Sequence, residues 1–125
     1  MNFLSRIISP VVIFIISIQF IFAIPEAFFF NSSTLQAYYF FESVTIDGVN
    51  LDSNDWVGAF NGDICVGARQ WNTENCNNGV CDVPAMGESL ENEPWTAGYM
   101  EEGEIPSFKI FDASANGGSG TYYDA

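Results

Sequence analysis

The sequence contains no histidine, and only three of its 125 residues are lysine or arginine. Without histidine, the chain lacks the usual general base of catalysis at neutral pH and the side chain that activates a serine or cysteine nucleophile. Most zinc sites are excluded for the same reason. The 16 acidic residues bring the formal net charge to −13, which repels phosphate backbones and argues against nucleic acid as a partner. We therefore expect a protein that is not an enzyme.

Residues 1–23 have the pattern of an export signal, a hydrophobic signal helix. Arg6 supplies the positive charge, and an apolar run over residues 11–22 leads to Ala23, where processing can occur. The alternative is an uncleaved membrane anchor, since the apolar stretch approaches the roughly 20 residues that span a bilayer. In either case we expect a secreted or cell-surface protein that meets the membrane only through this segment.

A hairpin is the clearest structural signal in the rest of the chain. Asn61-Gly62 separates two apolar runs, residues 56–60 and 64–68, and both residues tolerate the positive φ that a tight turn requires. Each run contains a glycine, Gly58 or Gly67. A glycine within a strand indicates a bulge or the close approach of another backbone.

Further strands are predicted on both sides of this hairpin. The longest, residues 35–46, is apolar on both faces, which is typical of a strand that is covered on both sides. Asp47-Gly48 predicts a second tight turn. The other segments with strand character are residues 95–100, 106–111 and 121–123. Because no helical period follows the signal, we expect an all-β fold over residues 24–125, an antiparallel β-sandwich of the jelly-roll or Ig-like type that is truncated at its C-terminal end.

Three cysteines in an exported chain indicate at least one disulfide. Cys76 and Cys81 enclose four residues that include Asn78-Gly79, so the chain can fold back there, and we pair these two. This bond would tie down the long irregular stretch that is predicted over residues 72–94. Cys65 is interpreted as a small buried apolar residue, with pairing to one of the other two as the alternative.

Five aspartates lie at predicted strand ends or turns, and carboxylate oxygens are the ligands that Ca²⁺ prefers. The candidate calcium ligands are Asp55 and Asp63 in the first place, followed by Asp47, Asp52 and Asp112. The spacing of an EF-hand loop is absent, because Trp56 stands where a third oxygen ligand belongs. The competing interpretation is that these aspartates cap turns and face solvent.

The tryptophans are candidates for stacking on a sugar. We expect Trp56 and Trp95 to lie in strands and in the core, and Trp71, at the start of the long loop, to be exposed and to bind a ligand. Asn31 begins an Asn-Ser-Ser sequon, which would carry a glycan in a host that modifies such sites. Residues 101–104 hold three glutamates in a predicted exposed turn, where nothing raises a carboxyl pKa, so glycoside hydrolysis is not expected.

Residues 55–68 (DWVGAFNGDICVGA) resemble the GDEIGVFDGDLCVGA motif of β-sandwich modules in large secreted proteins of environmental bacteria. Residues 35–41 and 103–112 are similar to the segments that flank this motif, so the resemblance extends over about residues 30–125. It implies an extracellular module without catalytic residues. Asn54 replaces the leading glycine of the motif, and the repeats and sorting regions of such proteins are missing, as they would be from a fragment.

Two functions follow as expectations. The first is an exported module for adhesion, carbohydrate binding or scaffolding, with an extracellular glycan or protein as its partner and Ca²⁺ as its one candidate cofactor. The alternative is a structural subunit of an extracellular filament. There the apolar segment 28–41 would be donated as a strand to a neighbouring copy of the chain.

Overall fold

The computed structural model describes residues 24–125, so the predicted export signal lies outside the described residues. Within them, the only helices are four single 3₁₀ turns, Glu26–Phe28, Thr73–Asn75, Pro94–Thr96 and Asn116–Gly118. None of these helices is long and apolar enough to cross a membrane. The eight strands are β1 (Gln36–Phe41), β2 (Thr45–Ile46), β3 (Val49–Asn50), β4 (Trp56–Asn61), β5 (Ile64–Gln70), β6 (Cys81–Met86), β7 (Ser107–Asp112) and β8 (Thr121–Asp124).

These strands form three antiparallel sheets. The largest has the order β5-β4-β7-β8, while β1 pairs with β6 and β2 pairs with β3. Strand β6 also contacts β5 and β4, so the two-stranded β1–β6 sheet lies against the large sheet. The predicted all-β, antiparallel class is confirmed.

The β4–β5 hairpin is confirmed, although its turn begins one residue later than predicted. Asn61 pairs with Ile64, so the two-residue loop is Gly62-Asp63, with a φ of 61° at Gly62. Asn61 remains in the strand, and its side-chain amide donates a hydrogen bond to the carbonyl oxygen of Gly98 at 3.0 Å. The hairpin tip is thereby tied to a distant loop.

Gly67 is required because another backbone lies against it. A Cβ atom at this position would lie 1.6 Å from the carbonyl oxygen of Pro84 in β6, so only glycine allows this approach of β5 and β6. Beside Gly67, the pairing of β4 and β5 also shifts register by one residue. The expectation of a bulge or a closely approaching backbone is confirmed at this glycine.

Two clusters of buried side chains form the core. The larger lies between the β1–β6 sheet and the hairpin and includes Trp71 and Val83. The second surrounds Phe28, which is completely buried and whose ring lies 5.7 Å from that of Phe60 and 5.4 Å from that of Tyr122, between centroids. The segment before β1 is therefore part of the packed fold.

The expectation that the longest β-prone segment is covered on both faces is wrong. In β1, Tyr39 and Phe41 pack against the larger cluster, but Tyr38 is 51% exposed and Phe40 is 69% exposed. Among residues 24–125, no element covers this second face. The apolar composition of β1 therefore exceeds what the packing of one face requires.

Strand β6 lies inside the stretch 72–94, which was predicted to be irregular. Pro84 stands in the middle of β6 and lacks an N–H group, which argues against a strand with partners on both sides. Here β6 has a ladder partner only in β1, and Pro84 faces Tyr38 at a position where the strand amide points away from that partner. The proline therefore costs no hydrogen bond.

Residues 95–100 do not form the predicted strand. The chain instead makes the 3₁₀ turn Pro94–Thr96, and the proline at its first position fixes a φ that suits a helical turn. Only Met100 is extended, and it forms a parallel bridge with Gly87. The alternation of aromatic and small residues in this segment therefore led to a wrong prediction of a strand.

Replacing Gly67 by alanine should destabilise the fold strongly, because the new methyl group overlaps the Pro84 carbonyl. We expect Gly67→Ala to lower the free energy of unfolding by about 3 kcal/mol or more. Gly62→Ala meets no atom and should cost only about 1 kcal/mol, the strain of its positive φ. Urea denaturation measures both changes. If both variants lost the same free energy of unfolding, the contact of Gly67 with the Pro84 carbonyl would not be the reason for the loss.

Candidate functional site

An open groove of 710 Å³ lies between the start of β1 and the turn that precedes β7. Apolar and small residues from three segments line it, among them Ala37, Ala85 and Met100. Four glutamates complete the lining, Glu88, Glu101, Glu102 and Glu104. We call this feature the acidic groove. It combines an apolar surface with a concentration of negative charge.

Hydrogen bonds within the chain position two of the four carboxylates. Glu104 accepts a bond from the backbone N–H of Glu101 at 2.9 Å and one from the Asn61 amide at 3.3 Å. Glu88 accepts a bond from the backbone N–H of Gly98 at 2.7 Å. The other two carboxylates are exposed and have no hydrogen-bond partner among residues 24–125. They are therefore available to a ligand.

Neither basic residue of the described chain lies in the acidic groove. Arg69 forms an ion pair with Asp82 at 2.9 Å, and its Nε also donates to the Asp82 carbonyl. Lys109 lies 3.9 Å from Asp124 at the edge of the large sheet. The charge of the groove is thus not neutralised from within these residues.

The groove arises from contacts that are distant in sequence. Met100 reaches it because its backbone N–H donates to the carbonyl of Met86 at the end of β6, at 3.2 Å. The backbone N–H of Glu88 in turn donates to the carbonyl of Met100 at 2.9 Å. Sequence reasoning recognised the 101–104 turn and its exposure, but no local pattern could place it beside β1.

A second polar cluster anchors the segment that leads into β1. The Glu93 carboxylate accepts hydrogen bonds from the N–H of Thr34 at 2.8 Å, from its hydroxyl at 2.7 Å, and from the Ser33 hydroxyl at 3.5 Å. These bonds favour the charged form and lower the pKa of Glu93, the largest contribution coming from the Thr34 N–H. The cluster joins this segment to the 3₁₀ turn Pro94–Thr96.

Trp71 is buried and Trp95 is exposed, which is the opposite of what the sequence predicted for these two residues. Trp71 is only 3% exposed and packs edge-on against Phe41, so the expectation that it is exposed is wrong. Trp95 lies outside any strand and is 53% exposed. Its indole N–H donates to the carbonyl of Ser32 at 2.9 Å, which holds the ring in place. The backbone N–H of Trp71 donates to the carbonyl of Asp55 at 2.7 Å, which continues the pairing of β4 and β5 by one residue and fixes the position of the ring.

Asp55 is a buried residue that organises the backbone. One carboxylate oxygen accepts a bond from the N–H of Asp52 at 2.7 Å, and the other accepts one from the N–H of Ala113 at 2.9 Å. Burial raises the pKa of Asp55, partly offset by these two bonds. The carboxylate thus closes the turn before β4 and ties it to the end of β7.

The predicted calcium ligands are brought together only in part. Asp52 and Asp112 lie near Asp55, whose pKa is raised by burial first and then by the charges of these two residues, whereas Asp47 and Asp63 lie elsewhere. Asp63 lies at the opposite end of β4 from Asp55, and a six-residue strand spans about 20 Å. Asp47 lies in the β2–β3 turn, and Asp112 accepts hydrogen bonds from Ser114. Among residues 24–125, no three acidic or cysteine side chains form a group that could hold a metal ion. Calcium binding at these aspartates stays a prediction.

The cysteine assignments agree with the structure. Cys76 and Cys81 form a disulfide, with a Cα–Cα distance of 5.0 Å. Cys65 is free and buried, and burial raises its pKa to about 11. Asn31 is exposed, and its glycosylation stays a prediction.

No protein-family model, curated protein sequence or solved structure matches the chain. The resemblance of residues 55–68 to modules of secreted bacterial proteins therefore stays a prediction.

Removing the Asp55 carboxylate should destabilise the protein, because two backbone N–H groups lose their acceptors. We expect Asp55→Ala to lower the free energy of unfolding by about 3 kcal/mol and Asp55→Asn by about half of that, since one acceptor oxygen remains. Asp63→Ala, in the exposed turn, should change it by less than about 0.5 kcal/mol. Chemical denaturation without added metal measures these differences. A loss that appears only when Ca²⁺ is present would instead identify Asp55 as a ligand.

The Glu93 cluster should make part of the stability depend on pH. Because the folded-state pKa lies below the ordinary value of 4.5, ionised Glu93 stabilises the fold above that pH, and this contribution is lost as the pH falls through the lowered pKa. Unfolding curves should therefore show a wild-type advantage over Glu93→Gln that is constant above 4.5 and shrinks below it. Glu91→Gln, at an exposed site, serves as the control. A difference that does not vary with pH would refute this role of the carboxylate.

Proposed function

We propose that the chain is an exported, extracellular β-sandwich module that binds a cationic partner in the acidic groove and has no enzymatic activity. The acidic groove is the observation that carries this proposal. Ligand sites are typically concave and largely apolar, with a few placed polar groups. The groove has this character, and its charged groups are all glutamates.

The two rim carboxylates without internal partners determine the chemistry of the ligand. Glu101 and Glu102 can each accept charge-assisted hydrogen bonds from a lysine or arginine side chain. The apolar surface beside them lowers the local dielectric constant, which strengthens such bonds relative to water. The formal charge of −13 also attracts cationic partners over longer distances. A basic surface of an extracellular protein fits these properties, which makes adhesion the preferred role.

Export and the sandwich architecture are supported by separate observations. The disulfide between Cys76 and Cys81 is of a kind that persists in oxidising compartments, in agreement with an export signal over residues 1–23. Strand β6 contacts both β4 and β5, as expected where a small sheet covers a larger one. We infer a two-layer sandwich with β1–β6 as the smaller layer.

A carbohydrate ligand is the second candidate, and Trp95 is the observation that favours it. The indole ring is half exposed and is held by its hydrogen bond to Ser32, so it offers a preorganised flat surface. Ordering a fixed ring costs less conformational entropy on binding than ordering a mobile one. In a glycan-binding role, Trp95 takes the place that the sequence assigned to Trp71.

The filament alternative requires a different strand from the one expected. Phe28 fills the second core cluster of its own chain, so donating the segment 28–41 to a neighbour would open that cluster. The edge of β1 is the remaining surface for strand addition.

Arrays of basic peptides and of glycans, probed with the exported protein with and without Ca²⁺, test these roles. We expect binding to basic peptides that Glu101→Gln/Glu102→Gln weakens by about tenfold, since two charge-assisted bonds are lost. Glu74→Gln/Glu91→Gln removes the same charge outside the groove and is the matched control. Trp95→Ala should leave peptide binding unchanged.

The outcomes separate the candidates. Equal weakening by both double variants would mean that only net charge matters and would reject the groove as the site. A glycan signal that is lost in Trp95→Ala would favour the carbohydrate role. Silence on both arrays would refute a binding module of either kind.

A further inference from the structure

Strand β1 has one paired edge and one open edge. The backbone N–H of Gly87 donates to the carbonyl of Leu35 at 2.7 Å, which fixes the odd-numbered residues of β1 as those that bond to β6. The N–H and C=O groups of Gln36, Tyr38 and Phe40 therefore point away from β6. None of these groups has a backbone partner among residues 24–125. The open edge thus offers alternating donors and acceptors along the whole strand.

The open edge of β1 lacks the usual protection of edge strands. Such strands are normally shielded by charged residues, prolines, bulges or a covering element. Strand β1 contains no charged residue and no proline, and it exposes Tyr38 and Phe40. By contrast, β5 carries a bulge and is covered at Gly67, and β8 is only four residues long and ends at Asp124.

We propose that the open edge of β1 pairs with β1 of a second copy of the chain, antiparallel and with the two-fold axis at Tyr38. In this register Tyr38 faces the partner's Tyr38, and Gln36 faces the partner's Phe40. Each facing pair exchanges two main-chain hydrogen bonds, which satisfies all of the open groups. The contact is isologous, so the assembly closes at two chains.

The absence of charged residues on β1 allows a second copy to pair along this edge. Two chains with a formal charge of −13 repel one another wherever their carboxylates meet. In the proposed register no charged residue of β1 faces the partner strand, because β1 has none. The first carboxylate after the strand, Glu42, would face the partner's Thr34. A facing pair of aromatic rings at the centre adds a favourable cross-strand contact.

The pairing does not rest on the proposed function, because its hydrogen bonds come from the main chain of β1, although Gln36 and Ala37 of this strand also line the acidic groove. A dimer without array binding, or array binding without a dimer, would each be interpretable. A strand pair of six residues buries less surface than a typical stable interface, so we expect an association that depends on protein concentration.

Cysteine cross-linking in the full-length chain, produced in an exporting host, tests the register. In Tyr38→Cys, the two facing Cα atoms would lie about 5.5 Å apart, within the range that a disulfide spans. We expect a band of twice the monomer mass on a non-reducing gel after mild oxidation, and its loss on reduction. In Phe40→Cys, the matched control, the two cysteines would lie about 14 Å apart and should stay monomeric. Because Phe40 is the more exposed side chain, random collisions would favour the control.

Sedimentation equilibrium provides a second readout that needs no cysteine. The average mass of the wild-type protein should rise with concentration towards twice that of the monomer. Tyr38→Lys places two like charges face to face and should weaken the association by at least about tenfold. Ile105→Lys, at a residue that is 85% exposed and outside any strand, should not. Equal cross-linking of both cysteine variants, or a wild-type monomer at every concentration, would overturn the proposal. A wild-type monomer at every concentration would mean that the open edge of β1 pairs with a strand of another protein, if it pairs at all.

Discussion

The contact between Gly67 and Pro84 is the constraint on which the rest of the structure depends. Because a hydrogen atom takes the place of a side chain at Gly67, β6 can lie directly against β5. The ion pair of Arg69 with Asp82 holds the same two strands together two residues further along each. Once β6 is in place, it provides the ladder for β1 and the acceptor for the Met100 N–H. One absent methyl group thus determines where the smaller sheet and the acidic groove are built.

The sequence predicted those features that depend on a few neighbouring residues. Gly62 and Asp47-Gly48 form turns by adopting a positive φ, and the four residues between Cys76 and Cys81 allow a disulfide without distant partners. Strand β6 escaped prediction because Pro84 excludes it from the centre of a ladder, and its single-sided pairing is a property of the whole fold. The burial of Trp71 was missed for a similar reason, since a backbone bond to Asp55 places it.

The acidic residues fall into two physical classes that composition cannot separate. Asp55 accepts two hydrogen bonds from the backbone, and Glu93 accepts one from the backbone and two from the hydroxyl groups of Thr34 and Ser33, so both are structural groups within the fold. Glu101 and Glu102 project from a turn without partners in the described chain and are the groups to which the proposed function assigns ligand binding. Net charge alone therefore does not identify a binding site, because some of the carboxylates that produce it are occupied in holding the backbone. The proposed groove function and the proposed β1 pairing use neighbouring surfaces, the carboxylates of the groove and the main-chain edge of β1, which meet at the start of that strand.

The second core cluster brings the beginning of the described chain together with its end. Phe28 packs against Tyr122, and the Tyr122 hydroxyl accepts a hydrogen bond from the N–H of Ala27, across 95 positions of sequence. During synthesis, a ribosome that has made the hairpin and both strands of the smaller sheet has not yet supplied the residue that completes this cluster. The ring that covers Phe28 on this side is therefore among the last parts of the chain to be made, and this face of the second cluster closes only after β8 has been synthesised.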